Sequence, residues 1–263
     1  MKKYLFLVTL IFNVILSANE MTGREIMDEI SKRHDAPFEF ETQKMTLIDS
    51  NGQKEERILR RFSRDDGTGL FKYLLVFDEP KGIKGVGLLT WQNNDRDDDQ
   101  WMYLPALEKV KRIAKGGSKN YFMGTDYAFE DLVSENKDKF KYERKDDTVI
   151  DSQSCYVINV YPNTDDIIKS TGYEYRVLYV RKDIFFTVRI DYFDKRGKFI
   201  KQQDLGDITQ VKGQMYRANH ALMNNMKENH KTEIIGMTRD FSESSVPAEY
   251  FKERYISSGR HIK

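Results

Sequence analysis

The sequence predicts a mainly β protein built on one antiparallel sheet. Residues 173–181, 184–193, 199–208, 215–225 and 232–239 follow one another at a spacing of about ten residues, with short polar or glycine-bearing turns between them. Within several segments, apolar and polar side chains alternate, as in strands with one wet and one apolar face. Helical patterns are few. Together these features are typical of a meandering antiparallel sheet.

The first elements can be assigned from local patterns. Thr22-Gly23-Arg24-Glu25 matches a capping box and predicts a helix over residues 22–34. Ser50-Asn51-Gly52 predicts a hairpin turn inside residues 38–65, because asparagine and glycine accept positive φ. Apolar side chains then occupy every second position from Phe71 to Phe77, and Lys72 and Asp78 are among the positions that alternate with them, which predicts a third strand.

The middle and the end of the chain contain the remaining breaks in the strand pattern. Residues 86–91 and 101–104 predict two strands on either side of an acidic turn at 93–99. A short helix is expected near 125–134, and another at 247–256, where Pro247 suits the first turn. No stretch resembles a linker and no repeat is visible, so one domain is expected.

The N-terminus has the pattern of an export signal. Lys2 and Lys3 precede an apolar run, and a small-residue exit ends near Ala18. We therefore expect residues 1–18 to be a cleaved signal peptide and residues 19–263 to form a single domain in the periplasm. The only cysteine is Cys155, so there is no lipobox cysteine after the signal. Its expected role is that of a small buried side chain.

Composition and motifs argue against several classes of function. The chain has 43 Lys and Arg against 42 Asp and Glu, a balance that disfavours a nucleic-acid partner. The pattern Asp95, Asp97, Asp99 imitates a calcium loop but lacks the glycine and the bidentate glutamate that follow in one, so a solvated turn is expected. No nucleophile motif is present. We predict neither an enzyme nor a metal or cofactor site.

The sheet carries more apolar surface than three short helices would cover. It therefore either closes into a barrel or leaves a cavity for an apolar ligand, and a packed aromatic core is the alternative. A shift of register by one residue would exchange the two faces. The candidate cavity residues are Phe71, Tyr73, Leu75, Leu88, Trp91, Trp101, Tyr103, Phe186, Val188 and Ile190.

A basic hairpin lies in the middle of a nearly neutral chain. Such a cluster suits an anionic head group or an acidic partner surface, although an ordinary solvated hairpin is the alternative. Only Glu108 offsets its charge. Its candidate contact residues are Lys109, Lys111, Arg112, Lys115 and Lys119.

The segment WMYLPALEKVKRIAKGGSKNYFMGTDYAFEDL, residues 101–132, resembles the centre of the outer membrane lipoprotein-sorting protein family, the LolA-like group. The matching parts are Trp101, residues 103–107, Phe122-Met123-Gly124, Asp126 and Glu130-Asp131-Leu132. The order of the other elements fits along nearly the whole of residues 19–263.

This resemblance implies a curved antiparallel half-barrel of the LolA/LolB kind, with a concave apolar face capped by a few short helices. It also implies a carrier that binds acyl chains of a lipid or lipoprotein and shuttles them between an inner-membrane partner and the outer membrane. The alternative is a sensor or adaptor that uses the same fold beside an RND-type transporter. Expected contacts include the membrane surface, and the expected state is a monomer.

Overall fold

The computed structural model describes residues 20–65, 67–114 and 116–262. The predicted signal peptide, residues 1–18, and one candidate contact residue, Lys115, lie outside the described residues. In the described part of the chain, no helix is long and apolar enough to cross a bilayer.

Thirteen antiparallel strands form one sheet. Their order across the sheet is β6-β5-β4-β3-β2-β1-β13-β12-β11-β10-β9-β8-β7. The strands are β1 Phe38–Ile48, β2 Lys54–Asp65, β3 Phe71–Glu79, β4 Gly87–Trp91, β5 Asp99–Leu104, β6 Lys109–Arg112, β7 Phe140–Ile150, β8 Gln153–Pro162, β9 Tyr173–Arg181, β10 Phe186–Asp194, β11 Phe199–Lys212, β12 Met215–Asn225 and β13 His230–Asp240.

This order consists of two meanders joined edge to edge. β1 pairs with β13 in the middle, whereas β6 and β7 form the two outer edges. Residues 113–139, here called the crossover segment, must therefore pass from one edge of the sheet to the other. The predicted mainly β, antiparallel fold is confirmed, and the sheet is open rather than closed into a barrel.

The helices are short: α1 Gly23–His34, α2 Asp165–Thr171 and α3 Glu253–Ser257. α1 has the predicted capping box, with Thr22 and Glu25 bonding to each other's backbone. The helix predicted near 125–134 is only a 3-10 turn, Phe129–Leu132. The helix predicted at 247–256 is divided between a 3-10 turn, Ala248–Phe251, and α3.

The sequence patterns did not predict β7 and β8. β7 is an edge strand, and most of its residues remain wholly or partly exposed. A bulge between Lys145 and Thr148 also interrupts its pairing with β8. An edge strand with charged residues at its centre and a bulge gives only a weak alternation of apolar and polar side chains.

The two faces of the sheet are covered by different parts of the chain. Phe71, Tyr73, Leu75 and Phe77 of β3 lie on one face, and Phe77 packs with Phe122 and Phe129 of the crossover segment. On the other face, the C-terminal segment, residues 241–262, covers a second core. That core comprises Phe62, Leu74, Val76, Leu89, Trp101, Tyr103, Val246, Phe251 and Ile256.

The sheet is strongly curved. β3 and β11 are separated by β2, β1, β13 and β12, so they would lie about 24 Å apart in a flat sheet. Side chains from both strands nevertheless line one cavity, on the face covered by the crossover segment. We call this the concave face, and we call the face under the C-terminal segment the convex face. α1 also packs on the concave face, where Ile26 and Met27 contact the core around Ile158 and Leu178.

Candidate functional site

A cavity of about 360 Å³ lies on the concave face. Its walls come from β1–β3, β11–β13, the end of α1 and the crossover segment. Its volume falls in the range of about 300–1,000 Å³ that is typical of small-molecule sites. Its apolar lining includes Met45, Phe71, Leu75, Leu132, Leu205 and Ile234.

The same cavity contains a network of charged side chains. Arg217 donates two hydrogen bonds to Glu39, from Nε to Oε1 and from Nη2 to Oε2, each at 2.9 Å. Arg239 bonds to Glu41 and lies 3.3 Å from Glu39. Gln43 completes the network by donating to Glu41 at 2.6 Å. The interior is therefore amphipathic, because these charged side chains lie among the apolar ones.

The electrostatics keep this network charged. Burial alone would raise the pKa of Glu39, but hydrogen bonds from Arg217 and the nearby charges of Arg61 and Arg239 lower it below its usual value. Burial raises the pKa of Tyr73 in the same cavity to about 12, so this phenol stays neutral. Its hydroxyl donates to Ser134 of the crossover segment at 2.7 Å.

Buried polar bonds hold the crossover segment to the sheet. The carboxylate of Asp126 accepts a hydrogen bond from the Thr232 hydroxyl at 2.7 Å and lies 2.7 Å from His230 Nδ1. Asp131 pairs with Lys201 at 2.5 Å, and both side chains are fully buried. Lys201 also donates to the carbonyl of Asp126 at 3.0 Å. These bonds fix the segment that forms one wall of the cavity.

A second cavity, of about 850 Å³, lies where the two edges of the sheet approach each other. The acidic turn at 93–99 lines it, opposite α2. This turn is not simply solvated, as the sequence had indicated, because Arg96 and Arg112 both pair with Asp99 and lower its pKa to about 2. Lys139 of the crossover segment binds Asp98 at 3.1 Å. The turn thus ties one edge of the sheet to the crossover segment.

The predicted cavity residues of the first meander are divided between the two faces. Phe71, Tyr73 and Leu75 line the 360 Å³ cavity. Leu88 pairs with Leu75 and packs in the concave core beside it.

Three aromatic residues that were expected in the cavity lie on the convex face. Trp91, Trp101 and Tyr103 pack under the C-terminal segment, and the Trp91 indole donates to the carbonyl of Phe251 at 2.7 Å. Trp91 does not line the cavity because it is three residues from Leu88, so the two side chains point to opposite faces of β4. Trp101 and Tyr103 pair with Leu89 and Gly87, so they lie on the same convex face as Trp91.

The predicted cavity residues of β10 are also separated. A bulge between Thr187 and Arg189 shifts the register at Val188. Ile190 pairs with the core residue Leu178, whereas Phe186 pairs with Arg181 and contacts the ring of His34 edge-on. These three residues are absent from the lining of the cavity as the described part of the chain defines it. Their predicted alternation fails because the bulge adds one residue.

The basic hairpin is exposed but does not form one continuous patch. Lys109 and Lys111 lie two residues apart on β6 and point to the same side, whereas Arg112 points to the other side and pairs with Asp99. Lys119 is exposed on the crossover segment beside Gly172. At the tip of the hairpin, Leu107 is 61% exposed.

Sequence reasoning missed the charged residues of the cavity. Glu39, Glu41, Arg217 and Arg239 belong to strands that are distant in the chain, and each resembled a polar residue on the wet face of its strand. One signal was available: in β1 the acids alternate with Phe38 and Phe40, so one of the two sets had to face inward. The sequence did not show which set that was.

The open curved sheet, the crossover segment and the cavity define a fold of the LolA-like kind. The fold is similar to a Vibrio parahaemolyticus domain provisionally named an outer membrane lipoprotein-sorting protein, with a TM-score of 0.84 and 25% identity over 89% of this chain and 98% of that one. It is also similar to a DUF1329 family protein from Desulfovibrio piger, with a TM-score of 0.83 and 23% identity over 89% and 97% of the two chains. A LolA superfamily protein from Nitrosomonas europaea gives a TM-score of 0.70 at 14% identity, over 90% and 100%.

The model of a protein family described as an uncharacterized protein matches residues 69–258. Because this is more than half of the chain, the chain belongs to that family. The predicted resemblance to LolA-like lipoprotein-sorting proteins is confirmed by the structures. A comparison with curated proteins gave no significant match.

Proposed function

We propose that this protein is a periplasmic carrier that binds an acyl chain of a lipid or lipoprotein in the concave cavity and moves it between the inner and the outer membrane. The observation that carries the proposal is the cavity itself. It remains open between the sheet and the crossover segment, beside the packed clusters around Phe77 and Tyr192. The fold shared with lipoprotein-sorting proteins supports the same function.

The amphipathic lining suits a carrier that must also release its ligand. Burying an acyl chain gains about 0.8 kcal/mol per methylene, so a wholly apolar cavity would hold a long chain very tightly. Here the charged network occupies part of the wall and limits the apolar area. Residues 132–134 of the crossover segment form another part of the wall.

A cavity-filling variant tests this function. Ala221 lines the cavity, and its strand neighbours Leu205 and Ile234 line it too. We expect Ala221→Trp to abolish uptake of a fluorescent fatty acid and to remove any lipid that native mass spectrometry finds on the wild-type protein. Ala106→Trp, on the exposed hairpin, is the matched control and should bind as the wild type does. Wild-type protein that stays empty in both assays would refute the carrier function.

The exposed hairpin supports a second candidate function, that of an adaptor docked on an inner-membrane transporter of the RND type. Lys109 and Lys111 are exposed, form no ion pair within the described residues, and lie near the exposed Leu107. Cations and an apolar tip together suit an acidic partner surface. We expect Lys109→Glu with Lys111→Glu to abolish crosslinking to such a partner in cells, with fatty-acid uptake in solution unchanged.

Lys169→Glu with Lys195→Glu, two exposed lysines elsewhere, is the control for overall charge. If the hairpin variant keeps its crosslinks, the adaptor function is wrong. If it loses fatty-acid uptake instead, the hairpin belongs to the carrier site.

A further inference from the structure

The concave cavity contains one arginine whose N–H donors are not taken up by other groups within the described residues. Arg61 lies on β2 and lines the cavity, partly buried. Within the described residues its guanidinium forms neither a hydrogen bond nor an ion pair. The guanidinium lies over the ring of Tyr73, whose centre is 5.2 Å from Cζ. The planar guanidinium is thus positioned by an aromatic ring and keeps its five N–H donors available.

The other charged groups of the cavity are already committed. Arg217 binds Glu39, and Arg239 binds Glu41 and lies near Glu39. When Arg61 is included, the cavity has three arginines and two glutamates. Asp131 is neutralised by Lys201 behind the cavity wall. Asp35, the remaining acid of the lining, is exposed to solvent after the end of α1. Arg61 therefore brings a positive charge with free hydrogen-bond donors into the interior, and it acts on Glu39 only through space.

We infer that the ligand of this cavity is an anionic amphiphile whose carboxylate or phosphate binds Arg61, while its acyl chain lies along the apolar wall. This inference rests on the proposed carrier function. Leu75 is the β3 residue paired with Arg61, so the cation and the apolar wall are adjacent. An anion leaving water needs a charged partner inside the protein, and arginine supplies two parallel hydrogen bonds to a carboxylate or phosphate.

The test compares probes that differ only in charge. We expect the wild-type protein to bind cis-parinaric acid at least about tenfold more tightly than its methyl ester, as one charge-assisted hydrogen-bonded pair would give. Arg61→Gln should bind acid and ester equally and keep the wild-type affinity for the ester, and Arg61→Lys should restore part of the preference. Arg60→Gln, the same change on the neighbouring residue that pairs with Asp78 on the convex face, is the matched control.

Displacement separates the two sources of the anion. Dodecyl phosphate that displaces the probe better than dodecanoic acid, which has a chain of the same length, would identify a phosphate head group, and the reverse order would identify a fatty acid. Inorganic phosphate alone should not compete, because the acyl chain supplies most of the affinity. Competition by inorganic phosphate would overturn the inference in favour of a small-anion site.

Two results distinguish the failure of this inference from that of the proposed function. If acid and ester bind the wild type equally, Arg61 does not select the ligand and the inference is wrong, although the carrier function stands. If neither probe binds, the carrier function fails and the inference fails with it.

Discussion

The two faces of the sheet solve the same packing problem differently. On the convex face, the C-terminal segment fits closely over aromatic and aliphatic side chains, and Leu89 and Ile256 there are fully buried. On the concave face, the crossover segment fills only part of the space, and the remainder is a cavity with buried ion pairs. β3 contributes to both, through alternate side chains.

The difference indicates where stability and function reside. The convex core resembles an ordinary protein interior, in which any lost methyl group leaves a void. The concave face keeps an open space and buried charges. Both cost stability, so their presence indicates a function. We therefore expect substitutions on the convex face to change stability alone, and substitutions in the cavity to change ligand binding at a smaller cost in stability.

The largest effect is expected where the crossover segment is anchored by charge. Lys201→Met would leave the carboxylate of Asp131 buried without its partner, which should cost about 3–5 kcal/mol. Chemical denaturation measures this loss. Lys169→Met, which removes a lysine from an exposed pair, should cost less than about 0.5 kcal/mol. The double variant Lys201→Met with Asp131→Asn should recover part of the lost stability. No recovery would mean that the packing of Lys201 among the rings of Tyr121, Tyr173 and Tyr192 matters more than its ion pair with Asp131.

A matched pair of truncations tests the two faces directly. Leu89→Ala on the convex face should cost about 2–4 kcal/mol, because it creates a void in a closed core. Leu205→Ala borders the existing cavity, so it should cost less than about 1.5 kcal/mol while weakening fatty-acid binding. Denaturation midpoints of the two variants give the comparison. Equal losses at both sites would mean that the concave interior is packed as tightly as the convex one.

Glu130, which lines the second cavity, should make the stability of the protein depend on pH. Burial raises the pKa of Glu130, on the crossover segment, to about 7. Because this carboxyl keeps its proton in the folded state while the unfolded chain releases it near pH 4.5, stability should fall as pH rises from about 4.5 to about 7.

Glu130→Gln should therefore stabilise the protein by about 2 kcal/mol at pH 8 and have almost no effect at pH 4. Thermal unfolding at the two pH values measures this, with Glu108→Gln on the exposed hairpin as the control. An equal effect at both pH values would mean that folding does not shift the pKa of Glu130.

The local patterns of the sequence predicted most of the fold. The capping box at Thr22, the hairpin at Asn51 and the alternation in β3 depend on neighbouring residues, and all three are present in the structure. The strand pattern failed where residues distant in the chain decide the outcome. β7 shows weak alternation because it lies at an edge, and β10 changes faces at a bulge.

The site was less predictable because the C-terminal segment decides which face of β1 is covered. In the sequence, Phe40 and Glu41 simply alternate along β1, and this alternation does not show which of them faces the concave interior. In the structure, Phe40 stacks on Phe62, which contacts Tyr250 of the C-terminal segment, and Glu41 turns into the cavity. More than two hundred residues separate β1 from Tyr250, so periodicity within β1 cannot reveal this arrangement.

The smallest effect is expected at a glycine that makes room for the charged network. A Cβ atom on Gly236 would lie 2.8 Å from Oε1 of Glu41 and 3.2 Å from Nη2 of Arg239. Gly236→Ala should therefore displace this ion pair, at a cost of about 1 kcal/mol. On β11, a Cβ on Gly206 meets only His220, at 3.7 Å, so Gly206→Ala should be neutral or stabilise by up to about 1 kcal/mol. Chemical denaturation compares the stability of the two variants. A neutral Gly236→Ala would show that the concave face has room for a methyl group even beside its ion pairs, so that the cavity extends to Gly236.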